Sequence, residues 1–243
     1  MKIIKLDAID STNTYLRQLS NTELLEDFTI VVAASQTAGK GQMGTTWSSE
    51  KGKNLTFSVF KKISCLDTDE GFYISMATSL AIYNALTYFQ IPKLAIKWPN
   101  DILSESQKIC GILIESVIQN SKMTAAIIGI GINVNQTKFE NGLNASSLKK
   151  ITGIHFDLDE VMFQLTNQLK KYSRLITDRS FDLLKTEYES LLFRKDKPST
   201  FRKLNGDLLM GFIQGVGEDG KLNVLLEDEI VTAFDLKEIK LLY

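Results

Sequence analysis

The pattern of apolar and polar residues predicts two strands near the start of the chain. Residues 28–34 form a short run rich in valine and isoleucine, which is typical of a buried strand. Residues 54–60 place Leu55, Phe57 and Val59 on one side of a second strand. The segment that directly follows the first strand, residues 35–44, contains three glycines and is predicted to be a loop.

Helical patterns occupy three stretches of the chain. Residues 67–89 begin with acidic side chains, which the helix dipole favours, and continue with closely spaced apolar residues that indicate a mostly buried helix. Residues 157–193 are predicted to be helical with a break near residues 177–180. A shorter helix is predicted to begin at Asp10-Ser-Thr-Asn13, because these residue types cap helix N-termini.

The remaining apolar segments predict strands. Residues 94–98 form a short strand, and residues 109–118 and 123–134 are predicted to pair as an antiparallel hairpin. From residue 194 onward, turn signals such as Asn205-Gly206 separate short alternating segments, which indicates a small β-barrel. The pattern therefore predicts an α+β domain over residues 1–193 and a small barrel over 194–243 that packs on it.

Composition and charge exclude several classes of protein. The chain has 243 residues, of which 44% are hydrophobic and 23% charged, so it is expected to fold as a globular protein. Its net charge of −1 argues against a protein that coats nucleic acid or an anionic membrane. No apolar run approaches the ~20 residues that span a bilayer, and the N-terminus does not resemble a secretory signal. The expected location is the cytoplasm.

The cysteines and the histidine exclude further chemistry. Cys65 and Cys110 stand far apart in dissimilar contexts, so we expect two reduced thiols, with Cys110 in a packing role. The one histidine, His155, excludes mechanisms that need a histidine pair and lies beside no nucleophile motif. No metal site is predicted among the side chains.

A glycine-rich loop matches the dinucleotide pattern G-x-G-x-x-G at Gly39-Lys-Gly-Gln-Met-Gly44. A dinucleotide fold requires a helix directly after the glycines, whereas this segment leads into another strand. A plain flexible loop is one alternative. The favoured interpretation is a loop whose backbone N–H groups, together with Lys40, close over an anionic ligand.

Two further segments combine charge with glycine. Lys97-Trp-Pro-Asn-Asp101 stands at the end of a strand, where binding sites are common. Lys108 begins an apolar strand in which Gly111 indicates close approach of a ligand or of backbone, and it could share a cleft with Asp101.

Two glycines, Gly129 and Gly131, alternate along one strand and so leave one face bare. A flat ligand lying on that face is one interpretation. Tight helix packing is the alternative.

Together these segments resemble the biotin protein ligases, in the order in which that family carries them. The resemblance covers residues 5–150 by motif, and the C-terminal barrel by pattern. It implies a mixed, largely antiparallel sheet with flanking helices and an SH3-like C-terminal barrel. It also implies a two-step reaction in which biotin and MgATP give biotinyl-5′-AMP, and a lysine of a biotin carrier domain then displaces AMP.

The resemblance also implies roles for individual residues. Lys108 and Asp101 are implied to be catalytic, with Lys108 at the reacting carboxyl group. The residues implied to bind biotin are Ser11, Thr12, Asn13, Gln36, Gly39, Lys40, Gly41, Gln42, Trp47, Lys108 and Gly111. The residues implied to bind ATP or the adenylate are Lys97, Asn100, Asp101, Gly129, Gly131 and Asn133.

The chain departs from the family pattern in two places. Lys40 and Gln42 stand where many members have arginine, which removes a bidentate donor at one position and a charge at the other. The motifs begin at residue 10, so we expect no DNA-binding domain ahead of them, no DNA or membrane partner, and a monomer or weak homodimer. Lipoate–protein ligase and a non-enzymatic biotin- or nucleotide-binding module are the alternatives in function.

Overall fold

The computed structural model describes residues 2–64, 66–120, 122–140, 142–236 and 238–243. Seven strands form one mixed sheet in the order β1-β2-β3-β7-β6-β5-β4, in which the β1–β2 pair is parallel and the other pairs are antiparallel. These strands are β1 (Ile3–Ile9), β2 (Thr29–Gln36), β3 (Leu55–Lys62), β4 (Leu94–Lys97), β5 (Asp101–Ser104), β6 (Gln107–Gln119) and β7 (Lys122–Ile132).

Five α-helices flank this sheet within the described residues. The helices are α1 (Thr12–Thr22), α2 (Phe72–Tyr88), α3 (Leu148–Thr152), α4 (Leu158–Thr177) and α5 (Phe181–Ser190). Ser11 caps α1 by accepting a hydrogen bond from the Thr14 N–H, which confirms the predicted helix start. In the part of the chain that the structure covers, no helix is both long enough and apolar enough to cross a bilayer.

The two faces of the sheet bury apolar surface of different extent. On one face, α2 and α4 cover a large core that includes Phe57, Leu80 and Ile130. On the other face, α1 covers a smaller cluster around Leu16 and Val31. β2 and β3 are covered on both faces. In β2 this explains the continuous apolar run, whereas β3 keeps the buried polar residues Thr56 and Ser58 between its apolar ones.

A second, antiparallel sheet follows the helices, with the strand order β11-β10-β9-β8-β12. Its strands are β8 (Pro198–Lys203), β9 (Leu208–Val216), β10 (Leu222–Leu226), β11 (Val231–Phe234) and β12 (Ile239–Leu242). Phe201, Ile213 and Val224 of this sheet belong to the same core as α2 and the first sheet. The expected packing of the C-terminal segment on the larger part of the chain is therefore confirmed.

Several element bounds differ from the prediction. The predicted helix over 67–89 begins as a 3-10 turn, Thr68–Gly71, and becomes α-helical only at Phe72. The predicted break near 177–180 is confirmed, because α4 ends at Thr177 and α5 begins at Phe181. β1, β5 and α3 were not predicted, since each is short or lies at an exposed edge where the apolar pattern is weak. Cys65 lies outside the described residues.

One hydrogen bond ties the two sheets together at the predicted site segment. Trp98 Nε1 donates to the carbonyl oxygen of Gly220 at 2.9 Å, in a buried position. We expect Trp98→Phe to lower the free energy of unfolding by about 1–3 kcal/mol, because it leaves that buried carbonyl unpaired. Urea unfolding at equilibrium measures this, with Tyr88→Phe on the exposed end of α2 as the control. An unchanged midpoint would show that the bond does not hold the sheets together.

Candidate functional site

A cavity of about 670 Å³ lies between the first sheet, the glycine-rich loop and the second sheet. One end of its wall is polar but uncharged, formed by Ser11, Thr12, Asn13 and Gln36. Elsewhere the described wall carries six cations and a single carboxylate, that of Asp101. The cations are Lys40, Lys97, Lys108, Arg202, Lys203 and Lys240. This charge balance suits an anionic ligand with a neutral polar end.

The uncharged end is built where α1 begins beside β2. The backbone N–H and the hydroxyl of Thr12 lie 2.8 and 3.0 Å from Gln36 Oε1. Ser58 of β3 lies behind them, with its Oγ 2.7 Å from Thr12 Oγ1 and 2.6 Å from Asn13 Oδ1. Asn13 Nδ2 in turn donates to Glu115 Oε2 of β6 at 2.8 Å. The structure therefore brings together four of the polar residues that the resemblance implies bind biotin, and it adds Ser58 and Glu115 behind them.

The cationic end centres on Asp101. Its Oδ1 lies 2.6 Å from Lys108 Nζ, and its Oδ2 lies 3.6 Å from Lys97 Nζ. The Asp101 side chain is 14% exposed, so this triplet is largely shielded from solvent and the attraction is stronger than at an open surface. The predicted common cleft of Asp101 and Lys108 is confirmed.

A β-bulge brings Lys108 to this face of the sheet. Asp101 pairs with Gly111, and Ile102 pairs with Cys110, but the next pair is Leu103 with Lys108, which leaves Ile109 unmatched. Alternate residues of a regular strand face opposite sides, so Lys108 and Gly111 would otherwise point apart. The extra residue reverses this, and both face the cavity.

Tyr243 lies beside the charged triplet and is partly exposed. Lys97 Nζ lies 4.9 Å from the centroid of its ring, and the ring also packs edge-on against Phe193. Burial raises the pKa of the Tyr243 hydroxyl, the charge of Asp101 raises it further, and Lys108 lowers it. Sequence analysis did not select Tyr243, because a single aromatic residue far from the motifs gives no signal of its own.

The glycine-rich loop folds back on itself beside the cavity. Trp47 N–H donates to the Gly39 carbonyl at 2.9 Å, and Gly41 N–H donates to the Thr45 carbonyl at 2.7 Å. The Trp47 indole lies on the bare face of the sheet, where a Cβ at Gly131 would come within 2.4 Å of it and a Cβ at Gly111 within 3.1 Å. Lys108 Nζ lies 5.7 Å from the centroid of the Trp47 ring system.

The bare strand face therefore holds side chains rather than an adenylate in direct contact. A Cβ at Gly129 would lie 2.3 Å from Asn13 Oδ1, and the indole occupies the place over Gly131. At Gly129 the packing residue, Asn13, belongs to α1, as the helix-packing alternative predicts, whereas at Gly131 it is Trp47 of the segment that follows the glycine-rich loop. Adenylate contact with Gly131 would require Trp47 to move.

Three other predicted residues differ in their placement. Asn133 is buried just beyond β7 and is not part of the wall of the large cavity, so this geometry does not support its assignment to the adenylate. Gly39 lines a smaller neighbouring cavity of about 410 Å³. Asn100 lines the large cavity, but its Nδ2 donates to the Ile112 carbonyl at 2.8 Å and so holds the Lys97–Asp101 segment against β6.

The sequence carried partial signals for the residues that were missed. Glu115 is a lone acidic residue in an apolar strand, within the segment that also carries Lys108 and Gly111. Ser58 is a lone polar residue between Phe57 and Val59. Both patterns are also common in edge or solvent-facing positions, so only the packing of α1 on β3 and β6 identifies them.

Cys110 has no place in the chemistry of the site. The thiol is fully buried on the core face of β6, and burial raises its pKa far above the ordinary range. Among the described residues no group of three or more His, Cys, Asp or Glu side chains could hold a metal ion. Both findings agree with the expected packing role of the thiol.

The chain belongs to the biotin/lipoate A/B protein ligase family, whose model matches residues 6–133. It is similar to the bifunctional ligase/repressor BirA of Bacillus spizizenii, with 31% identity over 93% of this chain and 70% of that protein. It is also similar to the biotin--[acetyl-CoA-carboxylase] ligase of Mycobacterium tuberculosis, with 25% identity over 87% of this chain and 79% of that protein. The structure of biotin protein ligase from Aquifex aeolicus in complex with biotin and ATP superposes with a TM-score of 0.82 at 25% identity, covering 99% of this chain and 98% of that one.

Proposed function

We propose that this chain is a biotin–protein ligase, which activates biotin with MgATP and transfers it to a lysine of a biotin carrier domain in a carboxylase. The observation that carries the proposal is a single cavity with a neutral hydrogen-bonding end and a cationic end. Biotin has the matching polarity, with an uncharged ureido ring at one end and a carboxylate at the other. Lipoate lacks the ureido ring, so the neutral end supports biotin over lipoate.

In the first step, a carboxylate oxygen of biotin attacks the α-phosphorus of ATP, and the bond to pyrophosphate breaks. Both reactants are anionic, so cations must offset their repulsion as they meet. Lys108 and Lys97 are held in the cavity wall by Asp101 and are suited to this role. The single carboxylate between two ammonium groups leaves this group of side chains with a net positive charge.

In the second step, the amine of the carrier lysine attacks the activated carbonyl carbon, and AMP leaves with the bonding electrons. The lysine must first lose a proton to become nucleophilic. Asp101 is the carboxylate within the described cavity wall, and we assign it to binding the lysine ammonium and accepting its proton. A non-enzymatic binding module would need no such carboxylate at the end of a cationic cavity.

Magnesium belongs to this proposal as the counterion of ATP. The described residues do not form a metal site of their own, since Asp101 is already held by two lysines. The ion would neutralise phosphate charge, and the Lys97–Asp101 segment brings the oxygen-bearing side chains of Asn100 and Asp101 to the wall.

The wider setting of the activity is part of the same proposal. We place a catalytic domain at residues 1–193 and a C-terminal domain at 194–243, in a cytoplasmic monomer or weak homodimer without DNA or membrane partners. The net charge of −1 supports the last point.

The proposal is tested by measuring pyrophosphate release with MgATP and either biotin or lipoate, with and without a biotin carrier domain. We expect release with biotin alone to give one turnover, because the adenylate stays bound, and steady turnover once the carrier is added. Lipoate should give no release above background. Turnover with lipoate, or no release with either acid, would contradict the proposal.

A further inference from the structure

A chain of polar side chains runs behind the neutral end of the cavity, from Gln36 to Glu115. Its links are Gln36 to Thr12, Thr12 to Ser58, Ser58 to Asn13 and Asn13 to Glu115. Thr12 and Asn13 are 3% exposed and Ser58 is fully buried, so protein groups or a ligand must satisfy these contacts.

The two ends of this chain determine the orientation of both amides. The backbone N–H of Thr12 can only donate, so Gln36 turns its Oε1 toward Thr12, at 2.8 Å. The Glu115 carboxylate can only accept, so Asn13 gives it Nδ2, at 2.8 Å, and turns Oδ1 toward Ser58. Both amides therefore present an acceptor oxygen to the two hydroxyl groups between them.

The hydroxyl protons are too few for these contacts. Three oxygen–oxygen contacts, Gln36–Thr12, Thr12–Ser58 and Ser58–Asn13, share the two protons of the Thr12 and Ser58 hydroxyl groups. One contact is always left without a proton, and two oxygen lone pairs face each other there. The longest of the three contacts, Gln36–Thr12 at 3.0 Å, is the contact left without a proton when Thr12 donates to Ser58 and Ser58 donates to Asn13. No protein group then donates to Thr12 Oγ1, so this oxygen is free to accept an N–H from a ligand.

We propose that Glu115 is a positioning residue that makes the neutral end of the cavity selective for ligands carrying an N–H donor. This inference rests on the proposed function, in which the ureido ring of biotin supplies the N–H. Glu115 does not line the large cavity and acts through the orientation of the Asn13 amide.

A Glu115→Gln substitution would reverse the direction of donation along this series of hydrogen bonds. The introduced NH₂ group can donate to Asn13 Oδ1 once that amide turns, and Asn13 then donates to Ser58. Ser58 is left to donate to Thr12, and Thr12 to Gln36. Every contact then has its proton from within the protein, and Thr12 Oγ1 accepts from Ser58 and becomes a poorer acceptor for a ligand N–H.

The test compares wild type and Glu115→Gln by calorimetric titration with biotin and with biotin methylated on a ureido nitrogen. We expect Glu115→Gln to bind biotin about 10–100-fold more weakly, as for loss of a buried hydrogen bond. We expect the preference for biotin over the methylated analogue to fall about 10-fold. The maximal rate of adenylate formation should stay within about threefold of wild type, because Lys108 and Asp101 lie outside this network.

The matched control is Glu187→Gln, which replaces a carboxylate that accepts from the Tyr172 hydroxyl in the helical layer. It should leave both affinities unchanged. Equal weakening of biotin and of the analogue by Glu115→Gln, with the preference intact, would show a merely structural role and overturn the inference. An unchanged affinity for biotin would overturn it as well.

A second variant covers the case in which Glu115→Gln does not fold. Asn13→Ala removes the acceptor of the Ser58 proton, so Ser58 donates to Thr12 as in Glu115→Gln, and the preference for biotin over the methylated analogue should also fall. A retained preference in Asn13→Ala would contradict the inference. Absence of pyrophosphate release by wild type with biotin would instead contradict the proposed function, so the two failures are distinguishable.

Discussion

Replacing Lys108 with alanine is expected to slow adenylate formation by about 10²–10³-fold, the usual cost of losing one charged donor at a reacting centre. The ammonium lies 2.6 Å from Asp101 Oδ1 at the cationic end of the cavity. Its removal leaves Lys97 as the remaining partner of the Asp101 carboxylate. The less neutralised carboxylate then repels the biotin carboxylate and the α-phosphate of ATP, which must meet at this end of the cavity. Single-turnover measurement of biotinyl-5′-AMP formation gives the rate.

Three controls separate chemistry from folding and binding. Lys93→Ala removes an exposed lysine paired with Glu105, outside the cavity wall, and should leave the rate unchanged. Lys108→Arg should recover only part of the rate, because the guanidinium is larger and its charge is spread. Supplying biotinyl-5′-AMP should partly restore carrier biotinylation by Lys108→Ala. A folded Lys108→Ala protein that forms adenylate at the wild-type rate would remove Lys108 from the mechanism.

Replacing Gly39 with alanine is expected to reduce kcat/KM for biotin by about 10²-fold, as displacement of positioning groups by an ångström can do. A Cβ at this position would lie 2.3 Å from the Trp47 carbonyl oxygen and 2.7 Å from Gln36 Nε2. The first contact is with the backbone of Trp47, whose N–H donates to the Gly39 carbonyl. The two backbone segments therefore cannot move apart without breaking this hydrogen bond and opening the loop. Steady-state pyrophosphate release over a range of biotin concentrations measures the effect.

The comparison for this prediction is Gly71→Ala, where a Cβ would meet only the end of the Met123 side chain, at 3.4 Å. That variant should keep the wild-type kcat/KM. If Gly39→Ala also keeps it, the closed form of the loop does not contribute to biotin use.

The main elements and the site segments could be predicted because their causes are local. Residues 28–34 are an apolar run and residues 54–60 alternate apolar and polar side chains, and these segments overlap β2 and β3 of the structure. Ser11 was predicted to cap a helix and does so. Lys97-Trp-Pro-Asn-Asp101 stood out because charge, amide and proline are rarely concentrated at a strand end without a purpose in binding.

Other parts of the site could not be predicted because they depend on contacts between distant segments. The alternating glycines Gly129 and Gly131 predicted a strand face without side chains. The residues that pack on that face, Asn13 and Trp47, lie more than 80 positions away in the sequence. Tyr243 joins Lys97 through the packing of the second sheet on the first. No local sequence pattern indicates contacts between residues that are so far apart in the sequence.

The sequence by itself determined most of the segments that form strands and helices and singled out Lys97, Asp101 and Lys108 as candidates for chemistry, because hydrophobic periodicity, capping and local concentrations of charge act within a few residues. Only the tertiary structure decided which of those residues share one face of the sheet. The unmatched Ile109 shows the reason most clearly: one extra residue against β5 turns Lys108 toward Asp101 and Gly111. A bulge depends on how two strands pair, and the register of that pairing is set by the packed sheet rather than by either strand alone.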